Sequence, residues 1–212
     1  MMYTILVVDD SPMIVDVFVT MLERGGYRPI TAFSGEECLE ALNATPPDLI
    51  LLDIMMEPMD GWETLERIKA NPATQDIPVL MLTAKPLTPE EANEYGSYIE
   101  DYILKPTTHH QLYEAIEHVL ARRHSIAADI ERAREAGVDS QLVDEYERLA
   151  KSVDINRRLL KILETTYSIK DARAGMGEDI TRAIKSMAAS IKIQEERLNQ
   201  VRTQFDELFV AR

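Results

Sequence analysis

Thr4-Ile5-Leu6-Val7-Val8-Asp9-Asp10 is an unbroken apolar run that ends on two carboxylates, and variants of it recur along the first half of the chain. Residues 48–52 give a second such run, followed by Asp53, and residues 78–82 a third, followed by Thr83. Runs this short that are apolar at consecutive positions suit strands covered on both faces, as in a parallel sheet. Tyr27–Ala32 and Tyr98–Leu104 are weaker strand candidates, the latter followed by Lys105. Between the runs lie helical patterns near 12–24, 35–44, 61–71 and 89–96, with another from 108 onward. Gly25-Gly26 closes the first helix, Pro46-Pro47 follows the second and Asn71-Pro72 ends the third. Five strands alternating with five helices predict an α/β fold, a doubly wound five-stranded parallel sheet.

In such a sheet ligands sit at the carboxyl ends of the strands, near the point where strand order reverses. The residues at those ends are Asp9 and Asp10, Asp53, Thr83 and Lys105. Three carboxylates in one place repel unless a cation lies among them, and an oxygen-only set suits Mg²⁺. Lys105 offers a point charge to an incoming phosphate and Thr83 a hydroxyl donor. Positioning and charge neutralisation of this kind are what phosphoryl transfer requires.

Val7-Val8-Asp9-Asp10-Ser11, Leu51-Leu52-Asp53-Ile54-Met55-Met56, Met59-Asp60-Gly61, Leu82-Thr83-Ala84-Lys85 and Leu104-Lys105-Pro106 together resemble the signature blocks of CheY-like receiver domains. These are the phosphate-accepting modules of two-component response regulators. The resemblance spans about residues 3–122 and implies a flavodoxin-like receiver over 1–122. It implies that Asp53 takes a phosphoryl group from a sensor histidine kinase or a small phosphodonor. Asp10, Asp53 and the Met55 carbonyl would ligate Mg²⁺, with Asp9 acting through water. Lys105, Thr83 and the Ala84 amide would hold the phosphoryl oxygens. Tyr102, three residues before Lys105, falls at the family's aromatic switch, where it would move with Thr83; a statically packed strand tyrosine is the alternative. The chain departs from the pattern at Glu57, where a proline is usual and Pro58 follows, and at Thr107, where an aromatic residue is common. Met55 and Lys85 occupy variable positions that tune phosphate lifetime in the family.

Residues 123–212 read differently, with abundant Ala, Leu, Glu, Arg and Lys and almost no strand signal. The helix from Thr108 is expected to reach about Ala136, with Gly137 as its C-terminal cap. Asp139 would cap the next helix, with Val138 and Val143 forming a hydrophobic staple. Leu142, Tyr146, Leu149, Val153, Asn156, Leu160, Leu163 and Tyr167 form one heptad seam, and Ile180 through Leu208 form another. A reversal at 174–178 would fold these helices into an antiparallel hairpin that levels Asn156 with Gln194. Leu159, Ile162, Ile169, Ile193 and Phe209 lie off the seams and suggest a second contact face, for the receiver, another protein or a second copy. A homodimer is the favoured use. All four histidines precede residue 125, so this hairpin cannot be a histidine phosphotransfer module.

Charge bears on partners. Residues 1–124 carry 8 Lys+Arg against 21 Asp+Glu, a balance of −13, and the remainder 15 against 16, a balance of −1. An acidic first half and a neutral second half without a basic cluster argue against nucleic acid. A DNA-binding region of unrecognised type is the alternative. No apolar run is long enough for a membrane helix. The one cysteine, Cys38, fits a reducing cytoplasm. No separate enzymatic output is legible; the expected output is a change in protein–protein contacts.

Overall fold

The computed structural model describes residues 2–167 and 177–210. Its first part alternates β1 (Thr4–Val8), α1 (Pro12–Arg24), β2 (Arg28–Ala32), α2 (Gly35–Ala44), β3 (Leu49–Leu52), α3 (Gly61–Ala70), β4 (Val79–Thr83), α4 (Pro89–Tyr95) and β5 (Asp101–Leu104). Three long helices follow: α5 (His109–Glu135), α6 (Ser140–Thr166) and α7 (Gly177–Val210). All strands are parallel, in the order β2-β1-β3-β4-β5. This is the flavodoxin-like, doubly wound arrangement expected from the sequence. The order reverses between β1 and β3, which therefore carry their terminal residues to the switch point.

The elements form for local reasons. Leu49, Ile50, Leu51 and Leu52 of the central β3 are all fully buried. Pro12 occupies the first turn of α1, where its missing N–H costs nothing, and Val15, Phe18 and Leu22 form its buried stripe. Ser34, Asp60 and Thr88 cap α2, α3 and α4 through bonds from backbone amides three residues on. Thr88 and Glu91 complete a reciprocal capping box. Both weak strand candidates begin later than expected, at Arg28 and Asp101.

The chain divides into two compact units, Met1–Pro86 with Tyr98–Ile116, and Leu87–Ser97 with Glu117–Arg212. In the second, α5 ends as anticipated: Gly137 has φ +69°, and the Val138 amide donates to the Ala133 carbonyl at 3.0 Å. Asp139 then caps α6, accepting from the Gln141 amide at 2.9 Å, and Val138 and Val143 are buried in one cluster. Early α6 meets late α7, with Tyr146 and Phe205 ring centroids 5.0 Å apart. Later α6 meets earlier α7, with Asn156 donating to Gln194 at 3.4 Å. The two helices are therefore antiparallel. The expected turn residues 174–176 lie outside the described residues, and α7 starts at Gly177.

Two details of the seam need correction. Leu160, assigned to the seam, is only half-buried, while Ile155 and Leu159 are buried. Leu159 is thus covered within the chain. The reason is a second neighbour: in this unit α6 also lies beside the end of α4, where Gly96 approaches Leu159, so its buried arc exceeds one seam. Ile193 does stay exposed, whereas Ile169 and the side chain of Phe209 fall outside the described residues.

Candidate functional site

Register places the polar residues. Val8 pairs with Leu52, and the Asp53 amide donates to the Val8 carbonyl at 2.9 Å, so Asp9 and Asp53 emerge side by side. Thr83 pairs with Leu104, and the Lys105 amide donates to the Thr83 carbonyl at 2.8 Å. All five residues singled out from the strand ends thus lie along one edge of the sheet.

Carboxylate oxygens of Asp9, Asp10 and Asp53 lie within 4.8 Å of one another, the two flanking groups buried and Asp10 exposed. Lys105 Nζ donates to Asp9 Oδ2 and stands 3.3 Å from Asp53 Oδ2. The remaining oxygens are held by backbone: Ser11 donates to Asp9 Oδ1 and Ile54 to Asp53 Oδ1, both at 2.9 Å. Asp53 therefore has one oxygen fixed by an amide and the other turned toward the lysine. Three anions and one cation leave the pocket short of positive charge, and every metal-type donor in it is oxygen. That donor set fits Mg²⁺, which favours a few carboxylates and keeps some of its water.

The loop after Asp53 is held close by a residue without a side chain. A Cβ on Gly61 would fall 2.1 Å from the Asp53 carbonyl oxygen. The Gly61 amide donates to the Ile54 carbonyl at 2.9 Å, closing residues 54–61 over the end of β3. Met55 is 60% exposed in this loop.

Thr83 is fully buried, and its Oγ1 accepts from the Lys85 amide at 3.2 Å. Ala84 is exposed beside it. Tyr102 is buried, donates from its hydroxyl to the Lys85 carbonyl at 2.6 Å, and stacks on Trp62 with centroids 6.5 Å apart. Lys85 is thus tied through both backbone groups, its amide to Thr83 and its carbonyl to Tyr102. Sequence reading missed this bridge and the Trp62 stack, since neither follows from strand spacing. It also missed a cluster outside the pocket, where Asp154 accepts from Arg122 and lies 2.8 Å from His118 Nε2. Burial alone would push the Asp154 carboxyl up, but its bonds to Arg122 and His118 prevail and hold it below the usual value.

A doubly wound parallel sheet carrying an acidic cluster, a lysine and a hydroxyl at the ends of its strands defines an α/β module with a polar pocket at its switch point. Residues 5–117 match the family described as "Response regulator receiver domain", and the chain belongs to that family. Residues 122–208 match a second description, "Metanogen output domain 2". The "Alkaline phosphatase synthesis transcriptional regulatory protein PhoP" of Bacillus subtilis is 35% identical over 66% of this chain and 57% of its own length. The chain accordingly spans little more than half the length of such relatives. Among solved structures, the N-terminal domain of a response regulator receiver protein from Methanoculleus marisnigri JR1 is 95% identical, covering 57% of this chain and 98% of that one, with TM-score 0.49. Chemotaxis protein CheY4 of Vibrio cholerae is 28% identical over 56% of this chain and 99% of that one, with TM-score 0.53. Among the described residues, no helix is long and apolar enough to cross a membrane.

Proposed function

We propose that the chain is a signalling switch in which Asp53 accepts a phosphoryl group, from a sensor histidine kinase or a small phosphodonor, and the C-terminal helices carry the output. The carrying observation is the asymmetry of the Asp53 carboxylate. Oδ1 is engaged by the Ile54 amide, whereas Oδ2 faces Lys105 Nζ at 3.3 Å. In this reading Oδ2 attacks phosphorus, an acyl phosphate forms, and the phosphorus–nitrogen bond of a phosphohistidine breaks with its electron pair leaving on the imidazole. Lys105 moves its charge from the carboxylates to the new phosphoryl oxygens, and Thr83 Oγ1 with the Ala84 amide supplies further donors. Mg²⁺, held by Asp10, Asp53 and the Met55 carbonyl with Asp9 acting through water, would supply the charge that lets anionic carboxylate and phosphate approach. Tyr102, joined to Lys85, would follow Thr83 as the switch.

Output by protein contact is supported by charge. The C-terminal half balances at −1 without a basic cluster, a poor match to the phosphate backbone of DNA. That relatives such as the Bacillus PhoP protein are transcriptional regulators keeps DNA binding as the second reading, and salt-sensitive retention on DNA would favour it. Self-association is the simplest protein contact, and Ile193, 69% exposed on α7, is an apolar side chain available to it.

Asp53→Asn tests the central claim. It keeps the shape and the acceptor for the Ile54 amide but is not a nucleophile, so labelling by acetyl phosphate with Mg²⁺ should vanish while the fold persists. Undiminished labelling would refute the assignment. Light scattering with and without acetyl phosphate tests self-association.

A further inference from the structure

Within the second compact unit, three elements each bring a polar pair, spaced four residues apart, to one cleft. Its volume is about 550 Å³, inside the range of small-molecule sites. α7 contributes Ser186 and Ser190, α6 contributes Ser152 and Asn156, and α4 with the turn after it contributes Asn93 and Ser97. Along α6 and α7 a four-residue step keeps both members of a pair on one face. One polar pair on a helix is ordinarily a solvated face; three that line the same cleft are not explained that way. The buried side chains of Leu163 and Ile191 add an apolar surface to the lining.

The polar groups are left available. Gln194 Oε1 takes bonds from Ser152 and from Asn156, each at 3.4 Å, and Asn156 also donates to Ser152 at 3.1 Å. That network uses the carbonyl of one amide and the nitrogen of the other. Among the described residues, Gln194 Nε2 therefore keeps its donors and Asn156 Oδ1 its acceptor sites without a protein partner. The serines of α7 behave likewise. Thr165 and Thr203 fold their hydroxyls back onto helix carbonyls four residues earlier, at 2.7 and 2.9 Å. Ser186 and Ser190 make no such bond among the described residues, so both hydroxyls can serve a ligand.

Charge sets the ligand's class. Among the described residues no lysine, arginine or histidine lines the cleft, and Glu90 is its one charged side chain. Glu90 is exposed in the first turn of α4, where a carboxylate complements the helix N-terminus. An anion would meet no cation here, and a cation would meet only a carboxylate already in water.

We propose that this cleft binds an uncharged polyhydroxy compound, a sugar or polyol. A hydroxyl donates and accepts at once, which suits a lining of serine hydroxyls with one free amide donor group and one free carbonyl. The C–H face of a sugar ring would lie on Leu163 and Ile191. The site is independent of Asp53, so it stands or falls apart from the phosphoacceptor reading.

The test is saturation-transfer NMR on the full chain with glucose, sucrose and myo-inositol, each in the millimolar range. At least one should receive saturation from the protein. Ser186→Ala with Ser190→Ala should weaken that binding about tenfold, the loss of two hydrogen bonds of ordinary net strength. Alanine favours helix and both serines are exposed, so circular dichroism should show this variant folded. Thr203→Ala, whose hydroxyl is tied to its own helix, should bind as wild type. Transfer to none of the three compounds would overturn the proposal, as would undiminished binding in the double variant. Tighter binding of glucose 6-phosphate or glucosamine than of glucose would overturn the assignment to an uncharged ligand.

Discussion

Asp10→Asn should stabilise the protein in EDTA and destabilise it, relative to wild type, in Mg²⁺. Its carboxylate is exposed and lies within 4.8 Å of those of Asp9 and Asp53. Two unit charges at that distance repel by about 1 kcal/mol in water and about 3.5 kcal/mol at an effective dielectric of about 20. An exposed group belongs near the low figure, so two such pairs cost about 2 kcal/mol before screening by salt. Lys105 is committed to Asp9 and Asp53, so Asp10→Asn removes repulsion without removing an ion pair formed by residue 10 itself. The expected gain in EDTA is about 1 kcal/mol once screening is allowed for. With Mg²⁺ at about 100 times its dissociation constant, the wild type gains about 2.7 kcal/mol, and a variant lacking one ligand charge gains much less. The stability order therefore inverts. Urea unfolding followed by Trp62 fluorescence measures this, because Trp62 is the only tryptophan and is 7% exposed. An Asp10→Asn midpoint in EDTA at or below wild type would refute the charge argument. A Mg²⁺ gain equal to wild type would refute the ligand assignment.

Gly61→Ala should cost at least about 1–3 kcal/mol, the scale of core overpacking, because the new Cβ meets the Asp53 carbonyl oxygen at 2.1 Å and backbone cannot swing aside; a wild-type urea midpoint would show that the loop yields freely. Asp154→Asn should destabilise at neutral pH and lose that effect in acid. The folded carboxyl sits below its usual value, so its contribution is present above that value and fades as pH falls through the folded one. A pH-independent difference between the two proteins would contradict this. Replacing Asn156 or Gln194 singly by Leu should destabilise by about 1 kcal/mol, since the amide that remains keeps only its bond with Ser152, while the double replacement should cost less than the sum of the two; additive losses would mean that the 3.4 Å contact carries no coupling.

Much of this molecule is legible from its residues, and what is illegible has a common cause. The sheet announces itself because β3 and β4 are apolar at consecutive positions, a pattern that only burial on both faces explains. The acidic pocket follows from the same fact, since consecutive apolar residues fix where each strand ends and hence which polar residue stands there. Gly137 and Asp139 declare the α5–α6 junction because left-handed backbone and unpaired amides demand particular residue types. The Asn156–Gln194 level could be found because a heptad seam interrupted by amides is unusual.

What escaped was packing made by residues with no strong preference. Pro89 and Ala92 of α4 and Gly96, which caps it, are small, and nothing in their spacing says that the first two are buried or that Gly96 lies against Leu159. Leu159 looked like a surplus apolar residue because a heptad describes one neighbour, and α6 has two. Ser152, which also donates to Gln194 at 3.4 Å, is as common on a solvated helix face as in a buried network. His118, Arg122 and Asp154 follow the same rule: charged residues at helical spacing normally face water, and only the tertiary fold brings Asp154 to the other two. Strand ends and caps are dictated by backbone hydrogen bonding, which is written locally in the sequence. Contacts between helices are dictated by shape, which is written only where two surfaces meet.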